Sequence, residues 1–124
     1  MVLRMPRILV HVTNGPEHPT RASLGFLVAR AALEEGHEVD LFLAGDAVQL
    51  LREPVLDSLV GLGTGSLRES YDAVVAGGAR ISASGMSSKA RGLVEDDIAS
   101  ASVELAPPTR LVQLAVAADR VITY

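Results

Sequence analysis

Short apolar runs and a helical repeat alternate along the first third of the chain, and this order constrains the fold more than any other feature. The run Arg7 to Thr13 is rich in aliphatic and β-branched side chains and stops at Asn14-Gly15-Pro16, which predicts a buried strand and a turn. Apolar residues then recur at helical spacing from Thr20, the predicted N-cap, until Gly36 supplies a left-handed stop. Glu38 to Leu43 predicts a second strand. This alternation predicts a parallel sheet with helices on both faces.

The rest of the chain continues the alternation. The repeating apolar residues of the first predicted helix are Leu24, Leu27, Val28, Ala31 and Ala32. The next predicted elements are a short helix from Asp46, its N-cap, to Leu51, a loop from Arg52 to Gly65 with a helical turn at Val55 to Leu59, a helix from Ser66 to Ala76, and a third strand from Arg80 to Ser84. After them we predict a short helical piece that ends at Arg91, a solvated helical turn from Val94 to Ala99, a fourth strand from Ser102 to Leu105, a helix from Pro108 to Ala118, and a fifth strand from Arg120 to Thr123.

The length of the chain fits one ordinary domain. It has 124 residues, and no repeat, low-complexity tract or linker divides it. We therefore predict a single domain over residues 1–124. Its predicted fold class is α/β, a three-layer α/β/α sandwich with a mostly parallel sheet of about five strands.

The composition excludes several classes of partner. With 11 Lys and Arg against 15 Asp and Glu, the net charge of −4 gives no field that attracts nucleic acid or an anionic membrane. Two Phe, two Tyr and no Trp supply few platforms on which bases could stack. The apolar stretches are too short for a signal peptide or a membrane span, so we expect a cytoplasmic protein. The glycines match neither a Walker loop nor a dinucleotide fingerprint, and we predict no cofactor.

Small and polar residues follow three predicted strands at the edge where open parallel sheets bind ligands. The segment Ser84 to Lys89 is the most suggestive, because flexible residues expose backbone N–H groups there and Arg91 adds positive charge, which suits an anion. The predicted ligand-binding residues are Asn14, Gly15, His18, Asp46, Ser84, Gly85, Ser87, Lys89 and Arg91. Serine and glycine before a short helix also serve as caps and turns, and that interpretation stays open.

The histidines and acidic runs indicate no other site. His11, in a strand, and His37, past a helix stop, lie near different ends of their strands, so we expect each to be satisfied locally. His18 is at the ligand edge and is the one histidine that we regard as a candidate base or ligand. No histidine follows Ser84, which argues against the Ser-Asp-His order of α/β-hydrolases. We predict no metal site and no catalytic residue.

Five segments of the chain form a recognisable series. They are Thr13 to Pro16 with Pro19, Ala31 to Val39, Leu41 to Leu43 followed by Gly45 to Val48, Ser84 to Leu93, and Ala118 to Ile122. In this order and spacing they resemble the DsrE-like family of sulfur-relay proteins over nearly the whole chain. The resemblance implies a compact α/β fold with a parallel sheet and homo-oligomers, often trimers or hexamers.

The resemblance also places serines where the family carries its reactive residues. In that family, the loop before the Lys89-Ala90-Arg91-Gly92 stretch commonly holds a cysteine that accepts sulfur as a persulfide, and the matching position here is Ser84. A second cysteine of some members matches Ser87. The chain has no cysteine, and a hydroxyl neither forms nor exchanges a persulfide.

Two functional hypotheses follow from this difference. We expect a non-catalytic, oligomeric member of the family that binds a small ligand or a protein partner of the relay. The alternative is a small enzyme that uses Ser84 or Ser87, backbone donors and His18 as the base for acyl or phosphoryl chemistry.

Overall fold

Five parallel strands form the central sheet of the computed structural model, which describes residues 5–98 and 102–124. In chain order the strands are β1 (Arg7–Val12), β2 (Glu38–Leu43), β3 (Val60–Gly61), β4 (Gly65–Ser66), β5 (Arg80–Ser84), β6 (Val103–Ala106) and β7 (Arg120–Thr123). The α-helices are α1 (Pro19–Glu34), α2 (Glu53–Ser58), α3 (Leu67–Ala76), α4 (Gly85–Ala90) and α5 (Pro108–Ala117), and two 3-10 helices span Gly45–Leu51 and Glu95–Asp97. The strand order of the sheet is β6-β5-β2-β1-β7, and β3 and β4 form a separate antiparallel pair.

Helices cover both faces of this sheet. α1 and α3 pack together on one face, over a large aliphatic core that includes Val10 and Leu41. α5 connects the two edge strands across the other face, where Leu114 packs in a smaller core with Leu9 and Phe42. These three layers around a five-stranded parallel sheet confirm the predicted fold class. Among the described residues, no helix is long and apolar enough to cross a membrane.

The face of α1 that packs on the sheet differs from the apolar repeat in its sequence. The buried residues of the helix are Ala22, Ser23, Gly25, Phe26, Ala29 and Ala32. Of the repeating residues only Ala32 is buried, whereas Leu24, Leu27 and Val28 are half-buried and Ala31 is exposed. A Cβ atom at Gly25 would lie 2.6 Å from Cγ2 of Val12, so the helix approaches β1 through its small residues.

Two predicted N-caps were wrong. The helix α1 begins at Pro19, and the Oγ1 atom of Thr20 instead accepts a hydrogen bond from the backbone N of Leu62 at 3.0 Å. The first 3-10 helix begins at Gly45, and the Asp46 side chain makes no capping hydrogen bond. In both cases a distant residue binds the oxygen that the local sequence offers to the start of a helix.

The middle of the chain is more regular than its sequence suggests. The predicted loop from Arg52 to Gly65 contains the whole of α2 and then the β3–β4 hairpin, where Leu62 is 91% exposed. Two-residue strands have too little alternation to be read from a sequence. The predicted turn from Val94 to Ala99 is the 3-10 helix at Glu95–Asp97, and Ala99 lies outside the described residues. The other predicted helices and strands are confirmed to within two residues at each end.

A buried carboxylate joins three adjacent strands near the amino-terminal end of the sheet. Asp40 on β2 is 1% exposed and accepts hydrogen bonds from Nε of Arg7 on β1, at 2.9 Å, and from Nε of Arg80 on β5, at 2.6 Å. The hydrogen bond to Asp40 raises the pKa of Arg80. A buried carboxylate is costly unless it is paired and hydrogen-bonded, so the alignment of these strands depends on both arginines.

We expect Asp40→Asn to lower the free energy of unfolding by about 2 kcal/mol, because it leaves two guanidinium groups facing a neutral amide. The value is below that of a fully enclosed ion pair, since the Arg80 side chain is 52% exposed. Urea denaturation measures the change. The control is Asp72→Asn, whose side chain is 62% exposed, and which should shift stability by less than about 0.5 kcal/mol. Equal effects of the two variants would contradict the prediction.

Candidate functional site

The loops after β1, β2 and β5 meet at the carboxyl edge of the sheet, where the sequence places the candidate residues. The backbone N of Gly45, after β2, donates a hydrogen bond to Oγ of Ser87, after β5, at 2.8 Å. A Cβ atom at Gly15 would lie 2.1 Å from the carbonyl O of Asp46, so the loop after β1 approaches this point through a residue without a side chain. The three loops therefore form one continuous surface.

Ser84 and Ser87, at the loop after β5, both accept hydrogen bonds within the protein. Ser84 is the N-cap of α4, and its Oγ atom accepts from the backbone N of Ser87 at 3.1 Å. The Oγ atom of Ser87 in turn accepts the hydrogen bond from Gly45. The interpretation of Ser84 as a helix cap is confirmed, and Ser87 connects its loop to the loop after β2.

Arg91 and Asp46 form an ion pair at the same edge. Nη2 of Arg91 lies 2.9 Å from Oδ1 of Asp46, and Nε donates to the same oxygen at 3.0 Å. The Nη1 atom of Arg91 donates to the carbonyl O of Ser87 at 3.2 Å, and the Nη2 atom of Arg52 donates to the carbonyl O of Arg91 at 3.1 Å. Asp46 therefore holds the loop after β2 against α4 instead of capping its own helix.

The remaining candidates lie at this edge without joining the network. The backbone N of His18 donates to the carbonyl O of Gly15 at 3.0 Å, and its exposed side chain lines an open cleft of about 410 Å³ with Arg21. Within the described part of the chain, no residue bonds the side chains of Asn14 and Lys89. Gly85 follows Ser84, and a Cβ atom there would lie 3.7 Å from the carbonyl O of Ala106 on β6.

The sequence matches a known protein family over nearly its whole length. The sequence model of the DsrE/DsrF-like family matches residues 7–124. The chain belongs to the DsrE/DsrF-like family. An uncharacterized relative, protein MK0008 of Methanopyrus kandleri, is 34% identical over 117 residues, which cover 94% of this chain and 93% of that protein.

Solved structures share the fold of this DsrE/DsrF-like chain. The ychN protein of E. coli superposes with a TM-score of 0.79 at 21% identity, over 97% of this chain and 100% of that chain. Protein MTH1491 of Methanobacterium thermoautotrophicum, of unknown function, gives a TM-score of 0.73 at 15% identity over the same shares. The likeness supports the α/β architecture derived from the strand order.

The histidines of the DsrE/DsrF-like chain do not converge, and residues 5–98 and 102–124 contain no group of three His, Asp or Glu side chains that could hold a metal. Nδ1 of His37 lies 2.9 Å from the carbonyl O of Pro6, so the expectation of a local partner is confirmed for that residue. It is wrong for His11, whose buried Nε2 atom has no hydrogen-bond partner in the described structure. The His11 ring instead meets Phe42 edge-on, with 6.0 Å between the ring centroids.

His11 cannot serve as a base for Ser84. The two residues lie on β1 and β5, which are separated by β2, so their backbones are roughly 10 Å apart from strand spacing alone. His18 has no hydrogen bond to Ser84 or Ser87 in the described structure. The Asp46 carboxylate is engaged by Arg91. The serines therefore have no aligned base in this geometry.

Arg110 is a residue of this edge that the sequence analysis missed. It lies in the first turn of α5, directly after β6, and it is the one charged residue of that helix. Its side chain is partly buried, and its Nε atom has no acceptor among the described residues. A lone charge in an apolar helix is the sequence signal that could have identified it.

We expect the stability of the protein to fall as the pH drops below 6.5, because burial lowers the pKa of His11 from its ordinary value of 6.5. The unfolded chain then binds a proton that the folded protein excludes, until the pH falls below the folded-state pKa. Urea denaturation from about pH 8 to about pH 5 measures this loss. His11→Phe should flatten the profile, whereas a His18→Gln control should keep it. Identical profiles for wild type and His11→Phe would refute the assignment.

Proposed function

We propose that this protein is a non-catalytic, oligomeric member of the DsrE/DsrF-like family that acts in the cytoplasm and binds a small ligand or a protein partner of the sulfur relay at its carboxyl edge. The observation that carries the proposal is the role of Ser84. At the position that matches the reactive cysteine of relatives, its hydroxyl caps α4 and accepts a hydrogen bond from Ser87. Ser84 therefore maintains the shape of the loop but lacks the thiol that sulfur transfer requires.

The replacement removes sulfur transfer for a chemical reason. Persulfide formation begins when a thiolate attacks a sulfur atom of the donor, forms an S–S bond and expels the remaining thiolate with the bonding electrons. A serine hydroxyl ionises far less readily than a thiol, and its oxygen forms no S–S bond. Ser87 offers the same atom type, so it cannot replace Ser84 in the reaction.

The enzyme alternative lacks support in the geometry of the edge. A serine nucleophile requires a base within hydrogen-bond reach, and in the described structure neither Ser84 nor Ser87 contacts a histidine or a carboxylate. Both serine oxygens already accept backbone hydrogen bonds. We therefore propose a binding role in preference to acyl or phosphoryl chemistry.

We expect the unmodified protein to take up no sulfur from inorganic polysulfide, and a Ser84→Cys variant to gain the mass of one sulfur atom. A thiol at this helix start is favoured as the thiolate, which is the attacking form. Intact-protein mass spectrometry, with and without a reducing agent, detects the product.

The matched control is Ser88→Cys, four residues along the same loop and helix. Ser88 is 1% exposed and lies inside α4, so its thiol should stay unmodified. A stable persulfide on the unmodified protein would disprove the non-catalytic proposal. An unreactive Ser84→Cys variant would disprove the correspondence with the family's cysteine.

The outer face of α5 supports self-association. Val112 is 63% exposed and Val116, one helical turn later, is 82% exposed. The helix carries no acidic residue and one basic residue, Arg110. A helix that is apolar on nearly all sides is typical of a covered position, and charge is depleted in the centres of interfaces between copies of a chain. We propose that a second copy of the chain covers this face.

We expect Val116→Glu to weaken self-association at least about tenfold, because it introduces a charge at the centre of the covered face. Light scattering after size exclusion, over a range of micromolar protein concentrations, reports the change in mass. Val60→Glu is the matched control, since Val60 is 63% exposed but lies on the β3–β4 hairpin. A monomeric wild type, or equal dissociation in both variants, would contradict an interface on α5.

A further inference from the structure

The guanidinium of Arg110 stands apart from those of the other partly buried arginines in residues 5–98 and 102–124. The arginines that bond a carboxylate are Arg7, Arg30, Arg52, Arg68, Arg80 and Arg91. Arg21 and Arg120 form no ion pair with a described residue, but both are exposed to water. Arg110 is partly buried, pairs with no described carboxylate, and has a buried Nε atom that lacks an acceptor.

An unpaired, buried guanidinium N–H group is energetically costly. It gives up its bond to water and gains none from the protein, and hydrogen bonds to charged groups are among the strongest that a protein makes. Acidic side chains are not scarce, because the chain has 15 of them against 11 basic ones. Glu104 lies on the neighbouring strand β6, yet no ion pair joins it to Arg110. No described carboxylate therefore neutralises Arg110, and its counter-ion is the kind of group that an anionic ligand would bring.

The position of Arg110 places it beside the proposed ligand edge. β6 runs parallel to β5, and its last residue, Ala106, is in register with Ser84. The carbonyl O of Ala106 lies 3.7 Å from the place of a Cβ atom at Gly85. Arg110 lies four residues after Ala106, in the first turn of α5. Lys89, in the last turn of α4, is exposed and likewise has no acidic partner in the described structure.

We propose that Arg110 binds a small oxyanion, meaning a free carboxylate, phosphate or sulfate group, at the carboxyl edge next to Ser84. This inference rests on the proposed binding function and names the class of its ligand. A guanidinium group presents parallel N–H donors that match the two oxygens of such a group. Lys89 adds a second positive charge at this edge. The bound oxyanion would supply the negative charge that no described residue provides to Arg110.

The test uses the full-length, ¹⁵N-labelled protein and three probes: inorganic phosphate, sulfate and acetate, each titrated at constant ionic strength against chloride. The Nε–Hε resonance of Arg110 should shift and saturate with at least one probe. Arg110→Gln should weaken binding at least about tenfold, as expected for the loss of charged hydrogen bonds. Arg110→Lys should recover only part of the affinity, because an ammonium group keeps the charge but not the forked donors.

The control is Arg120→Gln, which removes the same charge from an exposed arginine of β7 and should leave the affinity unchanged. Equal binding by wild type and Arg110→Gln would overturn the proposal. The chemical shift of the Arg110 Nε–Hε group could instead change with protein concentration and molecular mass and not with the added anion. In that case its partner is a carboxylate of a second copy, and the proposal also fails. The proposed function has its own tests, which are the measurements of self-association and of the Ser84→Cys reaction. A failure of anion binding at Arg110 can therefore be distinguished from a failure of the proposed function.

Discussion

The carboxylate of Asp40 sets the relative positions of β1, β2 and β5, and the geometry of the opposite edge follows from it. Arg7 and Arg80 approach the carboxylate from the two neighbouring strands. In the register that results, Val12 lies level with Leu43, and Leu43 with Ala83. The three loops therefore leave the sheet side by side. A slip of one residue would turn the side chains to the opposite face and separate the loops, so a charge cluster at one end of the sheet organises the carboxyl edge at the other.

The sequence predicts those parts of the fold that depend on local patterns. The strands appear as apolar runs, and Gly36 ends the first helix with a φ of 91°. The predictions for Thr20 and Asp46 failed because the oxygens of these residues bind partners that are 42 and 45 positions away in the chain. The buried face of α1 was missed for a related reason. Its contact with β1 is built from small residues, which contribute little to a hydrophobic repeat but allow the two backbones to approach closely.

The candidate site, like the fold, could be predicted from the sequence only in part. Its place at the carboxyl edge follows from the topology of parallel sheets, and the role of Ser84 as a cap follows from the residues around it. Arg110 stands out in the sequence as the lone charge of an apolar helix, but only the three-dimensional structure shows that its Nε atom has no described acceptor. The family resemblance also gives no direct indication of it. The chain has no cysteine, and the hydroxyls of Ser84 and Ser87 with two backbone amides maintain the shape of the edge, near an arginine that pairs with no described carboxylate.

The position of β7 has a consequence for how the chain folds. This strand pairs with β1, and the backbone N of Arg7 donates to a carboxylate oxygen of Asp119, 112 residues away in the sequence. Closing so long a loop is entropically expensive, and the layer formed by α5 yields only a small core in return. We therefore expect β7 to join the sheet last during folding. We expect the same contacts to open first from the native state, which would make the outer face of α5 the least persistent part of the molecule.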